Sequence, residues 1–145
     1  MLSAFSEARV DYLLVGAYAM ATHGYVRATG DIDLWVRPDA DNAARVLDAL
    51  TRFGAPTAGL TAADFEAPAV VFQIGVPPRR IDVLTTIDGV GFEDAWASRR
   101  EVVVDGLTVP VIGRDLLIRN KLATGRARDA RDAEALRDAD DDAGG

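Results

Sequence analysis

The chain has 145 residues, of which 49% are hydrophobic, enough for one domain with a sizeable core and too few for two. It has no cysteine, which excludes a disulfide framework, thiolate zinc sites and a cysteine nucleophile; the single histidine, His23, argues against a histidine-centred triad and suits a helix-end or packing position. The formal charge is -7 and the pI about 4.6, so no overall basic footprint points to nucleic acid, although Arg79-Arg80, Arg99-Arg100 and the arginines from 114 to 131 allow a local basic rim.

In chain order, a short helix over residues 4 to 9 leads into Asp11 to Val15, a compact apolar run read as the first strand. Gly16 then sits at a strand-to-helix turn, before a short helix ending near His23 and closed by Gly24 as a left-handed cap. Such a turn exposes backbone N–H groups suited to an anion, or Gly16 merely permits the bend. Asp31 to Val36 is the second strand. After it, Pro38-Asp39 starts an amphipathic helix with Ala43, Val46, Leu47, Leu50 and Phe53 on its core stripe and Gly54 past its end. Thr61 to Asp64 reads as a capped helical turn, and Ala69 to Ile74 and Arg80 to Thr85 as two antiparallel strands joined through Gly75-Val76-Pro77-Pro78.

Residues 91 to 98 read as a helix, and Asp105-Gly106 predicts a hairpin between Glu101 to Val104 and Leu107 to Val111. A helix follows from Arg114 to Thr124, with Leu116, Leu117, Ile118 and Leu122 available to the core, and a last one over about 128 to 138, with little to bury except Ala133 and Leu136. The expected organisation is a single domain over 1–137 and an acidic, disordered tail over 138–145. Helices scattered among strands, with antiparallel pairs, predict an α+β or mixed α/β fold and not a doubly wound parallel sheet. With no apolar run of about 18 residues and no signal-like N-terminus, the chain is expected to be cytoplasmic and to have no membrane partner.

Asp31 and Asp33 stand one residue apart in an apolar strand, so alternation points both carboxylates the same way and Ile32 and Leu34 the other. Asp82 interrupts Arg80-Ile81-Asp82-Val83-Leu84 in the same manner. Each is an acidic outer face of a wet strand or, if the strands are neighbours, part of a shared cation site; oxygen-only ligands would favour Mg²⁺ or Mn²⁺ over zinc. A magnesium site of this kind commonly handles phosphate, with the Gly16 turn near the β- and γ-phosphates and Arg27 or Lys121 adding positive charge. Lys121 is equally a solvent-facing helix lysine, and Arg27 a residue that holds its loop through an acidic neighbour. Trp35, Phe72 and Trp96 are assigned to core or rim packing, with base stacking as the alternative.

The strand ending in Gly16, the run Arg27-Ala28-Thr29-Gly30-Asp31-Ile32-Asp33, the strand aspartate Asp82, and Lys121 with Arg126, Asp129 and Asp132 resemble the minimal nucleotidyltransferases of the DNA polymerase β-like superfamily, in particular the AbiEii and MenT-like toxin branch. The resemblance spans residues 10 to 136. It implies a mixed sheet with flanking helices and an Mg²⁺ or Mn²⁺ site built from Asp31, Asp33 and Asp82. It also implies transfer of a nucleotide from a nucleoside triphosphate such as ATP to a hydroxyl on an RNA end such as tRNA, a protein or a small molecule. By the same resemblance Asp31 and Asp33 hold the ions, Asp82 binds the catalytic ion and accepts the acceptor proton, and Gly16, Ala17, Arg27 and Lys121 contact the triphosphate. A cognate antitoxin or a homodimer would complete the acceptor side. The chain departs from the family at Ala17, where a serine or glycine is usual. Ala17 keeps its N–H but offers no hydroxyl, so a nucleotide- or partner-binding module without catalysis is the alternative.

Overall fold

The computed structural model describes residues 1–25, 30–76 and 80–144, with side chains through 138. Arg27, assigned above to the triphosphate, lies outside the described residues, as does Arg79.

The strands are β1 (Tyr12–Val15), β2 (Ile32–Val36), β3 (Val71–Ile74), β4 (Ile81–Leu84), β5 (Arg100–Val104) and β6 (Leu107–Val111). They form one mixed sheet in the order β3-β4-β2-β1-β6-β5. Pairs β1–β2, β3–β4 and β5–β6 are antiparallel, whereas β2–β4 and β1–β6 are parallel. The mixed architecture expected from the sequence is therefore the one observed. All four residues of β1 are buried, as a central strand with both faces covered requires.

The helices are α1 (Leu2–Glu7), α2 (Gly16–Thr22), α3 (Ala40–Phe53), α4 (Phe92–Ala97), α5 (Arg114–Ala123) and α6 (Ala127–Gly144), with a 3-10 turn at Ala62–Phe65. In α3 the Asp39 carboxylate accepts from the Asn42 N–H at 2.7 Å, and Gly54 closes the helix at φ 90°. Its predicted stripe buries Ala43, Val46 and Leu50, but Phe53, at the last position of the helix, is 43% exposed. Likewise Leu117 and Ile118 of α5 are buried while Leu122 is exposed. Buried Asn42 was not singled out in the sequence; its amide accepts from the Asp11 N–H at 2.7 Å and donates to the Asp11 and Arg37 carbonyls at 2.9 Å, fastening α3 to the ends of β1 and β2.

Trp35 and Phe65 are buried, and Trp35 Nε1 donates to the Thr85 carbonyl at 3.2 Å, so Trp35 is a core residue as expected. His23 is the C-cap of α2, buried, with Nε2 2.7 Å from the Ile112 carbonyl. Burial pushes its imidazole below the ordinary range, which fits the packing role read from the sequence. α6 continues past 138 through the Ala- and Asp-rich segment to Gly144. No helix among the described residues is long and apolar enough to cross a membrane.

Candidate active site

β2 and β4 lie side by side in parallel register, with Asp33 directly opposite Asp82. Parallel neighbours in register point to the same face of a sheet, so these two carboxylates, 49 positions apart in sequence, stand next to each other. Burial, the Asp82 charge, a hydrogen bond shared with Asp82 and the Asp31 charge together push the Asp33 carboxyl up to about 6; among the described residues, Lys121 pulls the other way. The pair is thus short of positive charge.

Arg80 supplies part of it. Its Nε lies 3.0 Å from Asp82 Oδ1, and its Nη2 lies 3.4 Å from Asp31 Oδ2 and donates to Asp82 Oδ2 at 3.3 Å. The closest of these contacts is an ion pair without hydrogen-bond alignment, so buried Asp82 Oδ1 and Arg80 Nε each lack a hydrogen bond. The sequence reading missed this use of Arg80; its place two residues before Asp82, on the same face of a strand, was the available signal.

The donor set suits a hard divalent cation: only oxygens, two of the carboxylates in register, and one buried oxygen without a hydrogen bond. Yet no group of three or more acidic or histidine side chains among the described residues is gathered as a metal-binding cluster. Asp33 and Asp82 are brought together, whereas Asp31, just before β2, is held towards Arg80.

Gly16 packs against this pair. Its φ is +71°, and a Cβ built there would fall 2.2 Å from Asp33 Oδ2. Glycine is required twice over, by the left-handed backbone and by the approach of the carboxylate. Both Gly16 and Ala17 line a cavity of about 430 Å³ with Asp31, Asp33, Arg80 and the cations Lys121, Arg126 and Arg128. A second cavity of about 460 Å³ shares Gly16, Asp33, Lys121 and Arg126 with the first and adds Asp82, Gln73, Thr86 and Asn120. Asp33 therefore stands where the two cavities meet. A wider cavity of about 630 Å³, with Arg100, Arg114 and Arg119 in its wall, shares no residue with either and contains none of Asp31, Asp33 and Asp82.

Lys121 is positioned by α6. Its Nζ lies 3.4 Å from Asp129 Oδ1 and 3.6 Å from Asp132 Oδ2, and both carboxylates are buried. Asp129 also accepts from the Thr124 hydroxyl and from Arg126 Nε, each at 2.7 Å. Burial alone would raise Asp129, but Thr124, Lys121 and Arg126 hold it below the usual carboxylate range. The arginine rim considered between 114 and 131 is accordingly divided, with Arg126 held by Asp129 and Arg114 reaching Asp115 and the Leu136 carbonyl.

Six strands in this order, with Asp33 and Asp82 on adjacent strands and helices following the sheet, define a nucleotidyltransferase-like fold. The chain is similar over 94% of its length to a protein from Thermotoga maritima described as a nucleotidyltransferase, covering 86% of that chain at 16% identity and a TM-score of 0.60. It is similar also to the lincosamide antibiotic adenylyltransferase LnuA (94% and 91% covered, 16% identity, TM-score 0.55) and to the antibiotic-resistance factor ANT(2'')-Ia (95% and 85% covered, 18% identity, TM-score 0.54). No family model matches the chain, and no curated protein matches it in sequence.

Proposed function

We propose that the protein is a divalent-metal-dependent nucleotidyltransferase that moves a nucleotide from a nucleoside triphosphate to a hydroxyl. The observation that carries this reading is the in-register pair Asp33 and Asp82, with Gly16 packed on one carboxylate and Lys121 opposite. Asp33 and Asp82, joined by Asp31, are the residues that would hold Mg²⁺ or Mn²⁺. Such an ion, when bound, neutralises the carboxylates and the charge that develops on the transferred phosphate.

The first cavity suits the triphosphate, because Lys121, Arg126 and Arg128 in its wall offer charge-assisted contacts there. Asp129 and Asp132 hold Lys121 in place, so its ammonium needs little reorganisation when negative charge builds on the phosphates. The acceptor hydroxyl oxygen attacks the α-phosphorus and the bond from that phosphorus to the bridging oxygen breaks. Pyrophosphate leaves, and the hydroxyl proton passes to Asp82, whose Oδ1 has no hydrogen bond.

The test is label transfer from each α-labelled nucleoside triphosphate in Mg²⁺ or Mn²⁺, with calorimetry of triphosphate binding alongside. Metal-dependent binding and transfer, with transfer lost in Asp33→Ala, is the expected result; transfer unchanged in Asp33→Ala overturns the mechanism. Ala17, which brings no hydroxyl to the cavity, favours a second reading, a nucleotide-binding module; its signature is tight triphosphate binding without turnover. The finer AbiEii and MenT-like reading adds tRNA as acceptor and an antitoxin partner, and labelling of tRNA is its mark.

A further inference from the structure

Resting on the nucleotidyltransferase reading, we propose that the second cavity is the acceptor site and that it takes a small, amine-bearing polyol, not a nucleic acid end. The two cavities divide the charges unequally. All the cations Arg80, Lys121, Arg126 and Arg128 border the first. The second has only the shared Lys121 and Arg126, whose charges are already met from outside by Asp129 and Asp132. Facing them are Asp33, Asp82 and Asp88, so among the described residues its own wall is net acidic.

An RNA end brings a phosphate at every nucleotide and is held chiefly by cations and N–H donors. This cavity offers the reverse. Gln73, Thr86 and Asn120 provide neutral hydrogen-bonding groups for hydroxyls, while Val71, Leu84 and Ile87 supply an apolar wall for a carbon framework. Asp88 supplies a charge that an ammonium would satisfy. A volume of about 460 Å³ is that of a small-molecule pocket. Asp82, more than nine-tenths buried and with Oδ1 lacking a hydrogen bond, borders this cavity and is absent from the wall of the first. A hydroxyl seated here meets Asp82 on one side and, across Asp33, the α-phosphate of a triphosphate in the first cavity. The balanced step is formation of the oxygen to α-phosphorus bond, departure of pyrophosphate and proton transfer to Asp82.

The full chain is assayed with α-labelled nucleoside triphosphates and Mg²⁺ against tobramycin and lincomycin as amine-bearing polyols, myo-inositol as a neutral one, and deacylated tRNA. The expected result is label on an amine-bearing polyol and none on tRNA. Gln73→Arg and Asp88→Asn, both at exposed positions, are expected to raise the KM for that acceptor about tenfold each, the effect of roughly 1.4 kcal/mol of lost attraction. Label on tRNA or on protein, label on myo-inositol alone, label on none of these compounds, or a KM unmoved by both substitutions overturns the proposal. Calorimetry separates the two failures. Metal-dependent triphosphate binding without a labelled polyol defeats this inference alone, whereas no such binding defeats the nucleotidyltransferase reading beneath it.

Discussion

Three residues decide the chemistry of the carboxylate pair. Gly16 touches Asp33 so closely that Gly16→Ala forces a Cβ to within 2.2 Å of Oδ2 at a φ that L residues rarely adopt. The variant is expected to lose about 1–3 kcal/mol in denaturant unfolding and to weaken Mn²⁺ binding by calorimetry, since Asp33 must turn away. Asp33 itself, raised to about 6, binds a proton more tightly folded than unfolded. Stability in chelator is therefore full below the unfolded pKa near 3.8 and falls as pH rises through about 6. Asp33→Asn removes that penalty, so at pH 7.5 it is expected to melt a few degrees higher than the wild type in EDTA, with the gain vanishing towards pH 4. A gain independent of pH would mean that burial and the neighbouring Asp82 and Asp31 do not raise the Asp33 carboxyl. Arg80 holds Asp31 and Asp82 in the arrangement described. Arg80→Gln removes that cation from both carboxylates, and the expected result is several-fold tighter Mn²⁺ binding by electron paramagnetic resonance, with lower stability in EDTA.

At the scale of elements, α5 and α6 are joined through buried charge and not only through apolar contact. Lys121 projects from α5 towards Asp129 and Asp132 of α6, beside the buried Leu136 and Ala133. Removing one partner of a buried ion pair leaves the other uncompensated, which costs on the order of 3–5 kcal/mol. Asp129→Ala is expected to fall short of that range, at about 1–3 kcal/mol in urea unfolding, because Thr124, Lys121 and Arg126 lose an acceptor while Asp132 still faces Lys121 and Arg126 is exposed to water. Because Asp129 is held below the usual range, its contribution is present above the ordinary carboxylate pKa and lost on acidification below it. The sequence reading of α6 as a helix with only Ala133 and Leu136 to bury identified its apolar contacts correctly. It did not foresee two buried aspartates, because a carboxylate in a charged helix is ordinarily solvated and its burial here depends on partners from outside the helix, Lys121 of α5 among them.

For the whole molecule, a divalent ion bound at the β2–β4 pair, as proposed, would couple the site to global stability. A ligand that binds only the folded state adds about 2.7 kcal/mol at one hundred times its dissociation constant. Mn²⁺ is therefore expected to raise the melting temperature of the wild type by several degrees and EDTA to reverse it. Asp33→Ala should show no such rise, and an equal shift in that variant would place the ion elsewhere. The strands, the α3 caps and the Asp105-Gly106 hairpin were legible from local patterns, since alternation, caps and turn residues act over a few positions. The presence of Asp31, Asp33 and Asp82 in strand-like surroundings was also determined by sequence, and with it the suspicion of a carboxylate site. Only the tertiary structure set β2 beside β4 in parallel register, put Arg80 between two of the aspartates, and divided the space around Asp33 into a cationic and an acidic cavity. Pairing between strands 49 residues apart is fixed by how α3 and β3 pack between them in the chain, and no local pattern encodes that distance.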